Sequence, residues 1–243
     1  MQQEITLFKN YSTAENPELL KINRREILRY AGMAGMKEDE IDDKLNAILD
    51  ECIKEAMPLL TYKVSYRYEK LSNVDGHAIL PFEYTFSNAL DKNLKNCNEV
   101  VLFAATVGIA LDRLIAKYNK VSKVKGLFLQ AFGAERIEAL CDLFNEEVRA
   151  EALGRGKITK PRFSPGYGDL SLEIQKPFTE ILDCSRRLGI NLNESLLMSP
   201  SKSVTALIGI MDNEGSDNDG CASDIEIKQD CSNCDSKNCE FRK

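Results

Sequence analysis

The sequence predicts an α+β fold: a single domain with a mixed or antiparallel sheet flanked by long helices, followed by a flexible cysteine-rich tail. Helical and strand patterns alternate along the chain without the regular spacing of βαβ units. The composition changes near residue 211, where an acidic, glycine-rich stretch begins. We therefore predict a domain over residues 1–210 and a linker with a cysteine-rich tail over 211–243.

Length and charge narrow the functional classes. A chain of 243 residues is long enough to bury a substantial hydrophobic core. The net charge of −6 argues against nucleic-acid binding, which normally needs a basic face. The N-terminus has no signal-peptide pattern, and no apolar run approaches the roughly 18 residues needed to span a bilayer. We expect a cytoplasmic protein that binds neither nucleic acid nor membranes.

Two helices are predicted near the start of the chain. The first covers about 23–31, with Asn23 as its N-cap. The second covers 38–57, where apolar residues recur at helical spacing and Pro58 ends the pattern.

Strand patterns follow these helices. The alternating, Tyr- and Val-rich segment 61–71 predicts a strand, and 76–82 predicts a turn with a second strand. A short helix is expected at 86–95. The continuous apolar run 100–108 is typical of a buried strand, closed by Gly108.

The second half is predicted to be mostly helical. Helices are expected over 109–120 and 122–153, with a loop over 155–169 and a further helix over 171–190. Glycines close the longest of these helices. Two strands then complete the predicted core: 193–199 and 203–210.

The segment from Pro161 to Gly168, PRFSPGYG, is the most informative for chemistry. The guanidinium of Arg162 can grip a carboxylate through two parallel hydrogen bonds. Gly166 lets the backbone approach a ligand, and Tyr167 offers an aromatic face and a hydroxyl group. This suits a ligand with an amino-acid group and an aromatic base. On the pattern alone, a structured turn with an exposed arginine is the simpler interpretation.

The pattern Arg-x-x-Pro-Gly-Tyr resembles the loop that binds S-adenosylmethionine in the activation domain of cobalamin-dependent methionine synthase. Residues 194–204, ESLLMSPSKSV, are similar to that family's Glu-Ser-x-x-Met-x-Pro-x-x-Ser-Val segment, and 137–149 resembles its long helix. The matching region covers roughly residues 125–210. The resemblance implies that residues 1–210 form an activation-like domain, here as a stand-alone protein.

The family's ligand contacts carry over to particular residues of this chain. The resemblance implies that Arg162 holds the ligand's carboxylate, that Ser164 makes a backbone contact and that Tyr167 lies near the ligand. Together with Gly166, these residues form the predicted cofactor site. Glu138 matches a helix glutamate that lines the family's pocket, with a solvated charge on a helix face as the alternative.

The chain also departs from the family pattern. After Gly-Tyr it continues Gly168-Asp169-Leu170-Ser171, where the family has a Cys-Pro-Asp-His-Thr type of sequence. No tyrosine follows Tyr167 to match the family's second ligand tyrosine. The single histidine, His77, lacks the Asp-x-His-x-x-Gly context of cobalamin modules and is interpreted as a turn residue. We therefore expect contact with cobalamin only through a partner protein.

The tail carries a separate motif outside the resemblance. Cys231, Cys234 and Cys239 form C-x2-C-x4-C, with Cys221 ten residues upstream. Thiolates at this spacing bind zinc or an iron–sulfur cluster. A disordered tail with free thiols is the third interpretation.

The resemblance implies a reactivation cycle. The partner, a cobalamin-binding methionine synthase subunit, is inactivated when its cob(I)alamin is oxidised to cob(II)alamin. A flavodoxin or ferredoxin returns one electron, and S-adenosylmethionine held by this chain methylates the cobalt. Two alternatives remain: reactivation of another corrinoid methyltransferase, or a metal-binding interaction protein without ligand binding.

Overall fold

The computed structural model describes residues 6–12, 17–34, 41–74, 77–80 and 87–213. The cysteine tail, with Cys221, Cys231, Cys234 and Cys239, lies outside these ranges. In the described ranges no helix has both the length and the apolar character required to cross a membrane.

The described helices and strands follow one another in this order. The helices are α1 (Arg24–Tyr30), α2 (Asp43–Ala56), α3 (Asn88–Asn93), α4 (Ile109–Val121), α5 (Lys123–Gly154), α6 (Gln175–Ile181) and α7 (Cys184–Leu188). The strands are β1 (Leu7–Tyr11), β2 (Tyr62–Lys70), β3 (Ser72–Val74), β4 (His77–Ile79), β5 (Glu99–Thr106), β6 (Lys157–Thr159), β7 (Asn191–Leu192), β8 (Met198–Ser199) and β9 (Ser203–Asp212).

An antiparallel sheet organises the fold, with strands in the spatial order β1-β2-β5-β9-β6. Each neighbouring pair runs antiparallel. Two short hairpins, β3–β4 and β7–β8, stand beside it. The predicted α+β class is confirmed, and the sheet takes the antiparallel form.

The central strand β5 is covered on both faces. Its side chains alternate between the two faces, as in any strand. Phe103 and its odd-numbered neighbours pack against α1, α2, α4 and α5, whereas Leu102 and its even-numbered neighbours pack against α3, α6 and α7. The sheet therefore lies between two helical layers, each with its own apolar cluster.

The structure confirms the N-cap of α1 and shortens the next predicted helix. The Asn23 side chain accepts a 3.2 Å hydrogen bond from the backbone N–H of Glu26. The second helix begins only at Asp43, with Asp42 as its N-cap. Ile41 lies before this cap yet is buried in the core, so its apolar character extended the predicted helix too far. Residues 38–40 lie outside the described part.

The expected loop over 155–169 contains a strand. Residues Lys157–Thr159 form β6, which pairs with the end of β9. This pairing also draws Met211 and Asp212 into β9, although the linker was expected to begin at 211. Because β6 is three residues long and its partner is remote in sequence, local pattern does not reveal it.

The single helix predicted over 171–190 is wrong. The chain forms a 3-10 turn followed by α6 and α7, with a break at Asp183, whose φ is 50°. Two hydroxyl groups, one just before β1 and one in β2, donate hydrogen bonds to the carbonyls that the break leaves without a helical partner. The Thr6 hydroxyl donates to Ile181 at 3.0 Å, and the Ser65 hydroxyl donates to Leu182 at 2.7 Å.

Two of the predicted strands are only partly confirmed. Of the strand predicted over 193–199, only Met198–Ser199 is extended, because Asn193 makes a turn. Its side-chain oxygen accepts hydrogen bonds from the N–H groups of Ser195 and Leu197, each 2.9 Å long. The strand predicted over 76–82 is reduced to β4, with residues 76, 81 and 82 outside the described part.

Candidate functional site

Arg162 lies at the edge of the sheet and reaches the long helix α5. The next residue, Phe163, forms an isolated bridge with Leu207 of β9. The Arg162 guanidinium donates from Nη1 to Asp142 Oδ1 at 2.7 Å, and from Nη2 to Glu138 Oε2. Its side chain is 19% exposed. The structure thus brings together two residues of the predicted site, Arg162 and Glu138, and adds Asp142.

A third α5 side chain joins this group. With its amide oriented to satisfy both neighbours, Asn145 accepts a 3.1 Å hydrogen bond from Arg162 Nη1 and donates one of 3.3 Å to the Cys141 carbonyl. Residues 138, 142 and 145 recur at helical spacing, so they form one stripe along α5. The guanidinium lies along this stripe.

The charges in this group influence one another. Burial raises the pKa of Glu138, an effect that the Arg162 cation opposes and Asp142 adds to. Burial by itself lowers the pKa of Arg162, but the thiol of Cys141 and the carboxyls of Glu138 and Asp142 raise it overall. Arg162 therefore stays a cation at neutral pH.

The helix α1 contributes two residues that sequence reasoning missed. The Arg29 guanidinium lies 4.2 Å from the ring centre of Tyr30. Burial raises the pKa of Tyr30, and the charge of Glu138 raises it further. No local signal marks these residues, because their place near Glu138 depends on how α1 packs against α5.

The segment after Phe163 folds into a tight turn. The Tyr167 N–H donates to the Ser164 carbonyl at 3.0 Å, and the Gly166 N–H donates to the Leu170 carbonyl at 2.8 Å. Gly166 has a φ of 89°, which other residues rarely adopt. The turn is therefore set by its own backbone, and glycine at 166 is required by its conformation.

The predicted site residues divide between two surfaces of the sheet edge. The Tyr167 side chain is exposed, and its ring meets the Phe163 ring edge-on at 5.9 Å between centroids. Phe163 packs with the apolar cluster of α3, α6 and α7, whereas Arg162 contacts α5 in the opposite layer. A ligand that contacts both Arg162 and Tyr167 has to span this edge.

The residues that depart from the family pattern hold the turn against α3. Asp169 accepts hydrogen bonds from the Ser87 hydroxyl at 2.5 Å and from the N–H groups of Asn88 and Ala89 at 2.8 and 3.1 Å. These bonds, the Ser87 bond first, lower the pKa of Asp169. A Cβ atom at Gly168 would lie 2.7 Å from Ala89 Cβ, so the turn approaches α3 closely.

His77 lies in β4 rather than in a turn. Its Nδ1 is 2.7 Å from Asp91 Oδ2, and the other oxygen of Asp91 accepts a 2.8 Å hydrogen bond from the Ala78 N–H. The interpretation as a turn residue is wrong, because His77 pairs with Val74 as the first residue of the hairpin strand β4.

The cysteines of the described residues are free thiols. Burial raises the pKa of Cys52 and Cys97 to about 11 each and that of Cys184 to about 12, and it also raises the pKa of Cys141. In the described part of the chain, no three metal-binding side chains come together. The predicted tail ligands Cys221, Cys231, Cys234 and Cys239 lie outside it.

Comparison with known proteins identifies the class. The family model of the vitamin B12-dependent methionine synthase activation domain matches residues 83–215, more than half of the chain. The chain therefore belongs to the family of activation domains of vitamin B12-dependent methionine synthase, and the resemblance in its motifs is confirmed.

A solved structure supports the fold. The protein is similar to one described as "Crystal Structure of the MetH Reactivation Domain bound to AdoHcy", with a TM-score of 0.62 and 15% identity. The similarity covers 86% of this chain and 79% of that chain. At this identity the likeness establishes the fold. Curated protein sequences contain no match to the chain.

Proposed function

We propose that this protein binds S-adenosylmethionine and supports the reductive methylation of cob(II)alamin on a separate cobalamin-dependent methionine synthase. Two findings support the proposal: membership of the activation-domain family, and a similar fold described with bound AdoHcy. The observation that carries it is the position of Arg162. This motif arginine keeps its charge at the sheet edge, beside Glu138.

Each site residue has a proposed role. Arg162 binds the carboxylate of the ligand, since a guanidinium has five N–H donors and its α5 partners use only some of them. The backbone of Ser164 and Gly166 contacts the ligand along the turn. The exposed ring of Tyr167 packs against the adenine. Glu138 lines the site and favours the positively charged ligand.

Methyl transfer from S-adenosylmethionine requires that the ligand be positioned and does not require proton transfer. When bound, S-adenosylmethionine supplies an electrophilic methyl group and leaves as a neutral thioether, so no general acid or base is needed. The electron that regenerates cob(I)alamin comes from a flavodoxin or ferredoxin. The residues of this chain orient the ligand toward the partner and exclude water from the interface.

Calorimetry tests the ligand site. S-adenosylmethionine is titrated into the wild type, Arg162→Ala and the control Arg149→Ala. Arg149 is an exposed α5 arginine that pairs with Glu146 at 3.7 Å. We expect Arg162→Ala to weaken binding by roughly tenfold or more, since a hydrogen bond to a charged group contributes about 1.5–3 kcal/mol. Arg149→Ala should bind like the wild type. Equal affinity of Arg162→Ala and wild type would refute the site.

A reactivation assay tests the biological role. A cob(II)alamin-containing methionine synthase that lacks its own activation domain is mixed with S-adenosylmethionine, a flavodoxin or ferredoxin, and this chain. We expect methyl transfer to resume only when the chain is present. Recovery of another corrinoid methyltransferase, and not of methionine synthase, would identify a different client.

The cysteine tail supports a second proposal, that Cys221, Cys231, Cys234 and Cys239 bind an iron–sulfur cluster or zinc. A cluster would suit a process that requires an electron. Anaerobically purified protein is analysed for iron, sulfide and zinc, with visible absorption as the mark of a cluster. Replacing Cys231 and Cys234 by serine should abolish the metal, whereas Cys97→Ser should retain it. A metal-free wild type would refute this proposal.

A further inference from the structure

We propose that Asp142 is a positioning residue for the ligand: it holds the Arg162 guanidinium against α5 in the orientation that receives the ligand's carboxylate. The proposal rests on the proposed function, because the orientation of Arg162 matters only if Arg162 binds the ligand. Asp142 is not among the residues to which the resemblance assigns a ligand contact, and its contact with Arg162 is the observation that assigns it a role.

Two carboxylates of α5 hold the Arg162 guanidinium through different nitrogen atoms. Asp142 accepts from Nη1 at 2.7 Å, and Glu138, one turn earlier on α5, accepts from Nη2. Because the two carboxylates take different terminal nitrogens, they restrict both the tilt and the rotation of the guanidinium plane. Neither carboxylate alone does this.

The remaining donors leave room for a ligand. A guanidinium carries five N–H groups. Bonds to Asp142, Glu138 and Asn145 use three of them. One N–H on Nε and one on Nη2 remain to bind a carboxylate. Asp142 therefore orients Arg162 and still leaves two of its N–H donors available for a ligand.

The exposure of the two side chains favours a role in positioning over one in stability. Asp142 is 69% exposed, and the Arg162 side chain is 19% exposed. An ion pair with one exposed partner contributes little to folding. An arginine that is free to rotate, by contrast, has to be ordered when the ligand binds, and this weakens binding.

The first test compares two variants that remove one negative charge from α5. Asp142→Asn keeps an oxygen that can accept from Arg162 Nη1 but removes the negative charge that makes this contact an ion pair. Glu146→Gln removes a charge one turn further along, where the carboxylate pairs with Arg149. We expect Asp142→Asn to weaken S-adenosylmethionine binding by about three- to tenfold in calorimetry, with an unchanged melting temperature. Glu146→Gln should bind like the wild type.

Two further measurements separate positioning from a general effect. In an Arg162→Ala background, Asp142→Asn should cause no additional loss of affinity, because its effect acts through Arg162. Methylthioadenosine lacks the amino-acid end of the ligand, so the wild type and Asp142→Asn should bind it equally.

The outcomes distinguish this proposal from the function on which it rests. If Asp142→Asn binds S-adenosylmethionine as tightly as the wild type or more tightly, while Arg162→Ala binds weakly, only the positioning role is refuted. The same conclusion follows if the loss persists in the Arg162→Ala background or with methylthioadenosine. If the wild type fails to bind S-adenosylmethionine, the proposed function and the positioning role are both refuted.

Discussion

The fully buried guanidinium of Arg136 pairs with the carboxylate of its chain neighbour Glu135. Both side chains also bind the segment that leads into α1. Arg136 donates 2.7 Å hydrogen bonds to the carbonyls of Leu20 and Lys21, and the Asn23 N–H donates to Glu135 at 3.0 Å. Through these hydrogen bonds the Arg136–Glu135 pair connects the segment before α1 to the middle of α5, beside the candidate site.

Removing one partner of this pair should destabilise the protein strongly. Glu135→Ala leaves the buried Arg136 without its counter-ion, a change that typically costs about 3–5 kcal/mol. We expect a loss of that size in the free energy of unfolding, measured by urea denaturation. The control Glu146→Ala, at an exposed position of α5, should change it by no more than about 0.5 kcal/mol. A loss below about 1 kcal/mol for Glu135→Ala would contradict the structural role of the Arg136–Glu135 pair.

Two glycines should respond oppositely to alanine. A Cβ atom at Gly209 would lie 2.6 Å from Cys97 Sγ and 2.7 Å from Leu94 Cδ2. Gly209→Ala should therefore cost about 1–3 kcal/mol through overpacking. A Cβ atom at Gly154 meets nothing within 4 Å, so Gly154→Ala should leave the stability unchanged or raise it slightly. Thermal denaturation of the two variants provides the measurement, and equal melting temperatures would show that β9 is not packed as closely as described.

The carboxylate of Asp169 should make stability depend on pH in one direction. Its pKa is lowered by hydrogen bonds from Ser87, Ala89 and Asn88. A lowered pKa contributes stability above the ordinary carboxyl pKa of about 4, and that contribution is lost as the pH falls through the lowered pKa. The wild type should therefore exceed Asp169→Asn in unfolding free energy at pH 7, and the difference should shrink in acid. A difference of equal size at both pH values would argue against the role of the charge.

The break between α6 and α7 should depend on Ser65. This fully buried residue donates its hydroxyl to the Leu182 carbonyl at 2.7 Å. Ser65→Ala leaves that carbonyl buried without a partner, which costs about 1–3 kcal/mol. As a control, Ser185→Ala removes an exposed hydroxyl that bonds Asn191 and should cost no more than about 0.5 kcal/mol. Chemical denaturation of both variants tests the break, and equal losses would count against it.

Part of the candidate site could be predicted from the sequence. Arg162 and Glu138 were predicted from motifs, and the structure joins them in an ion pair. Asp142 stands four residues after Glu138, so the sequence predicts that both lie on the same face of α5. The sequence does not predict the contact between Asp142 and Arg162, because that contact depends on where the sheet edge crosses α5.

The sequence by itself determined the elements whose signal is local: the apolar strand β5, the long helix α5 and the Asn23 cap of α1. It also determined the family, through short motifs in the second half of the chain. Tertiary structure alone decided the strand β6, the break at Asp183 and the partners of Arg162. The reason is physical: a three-residue strand, a released carbonyl and a guanidinium are each stabilised by groups remote in sequence, which only the folded chain brings within hydrogen-bond distance.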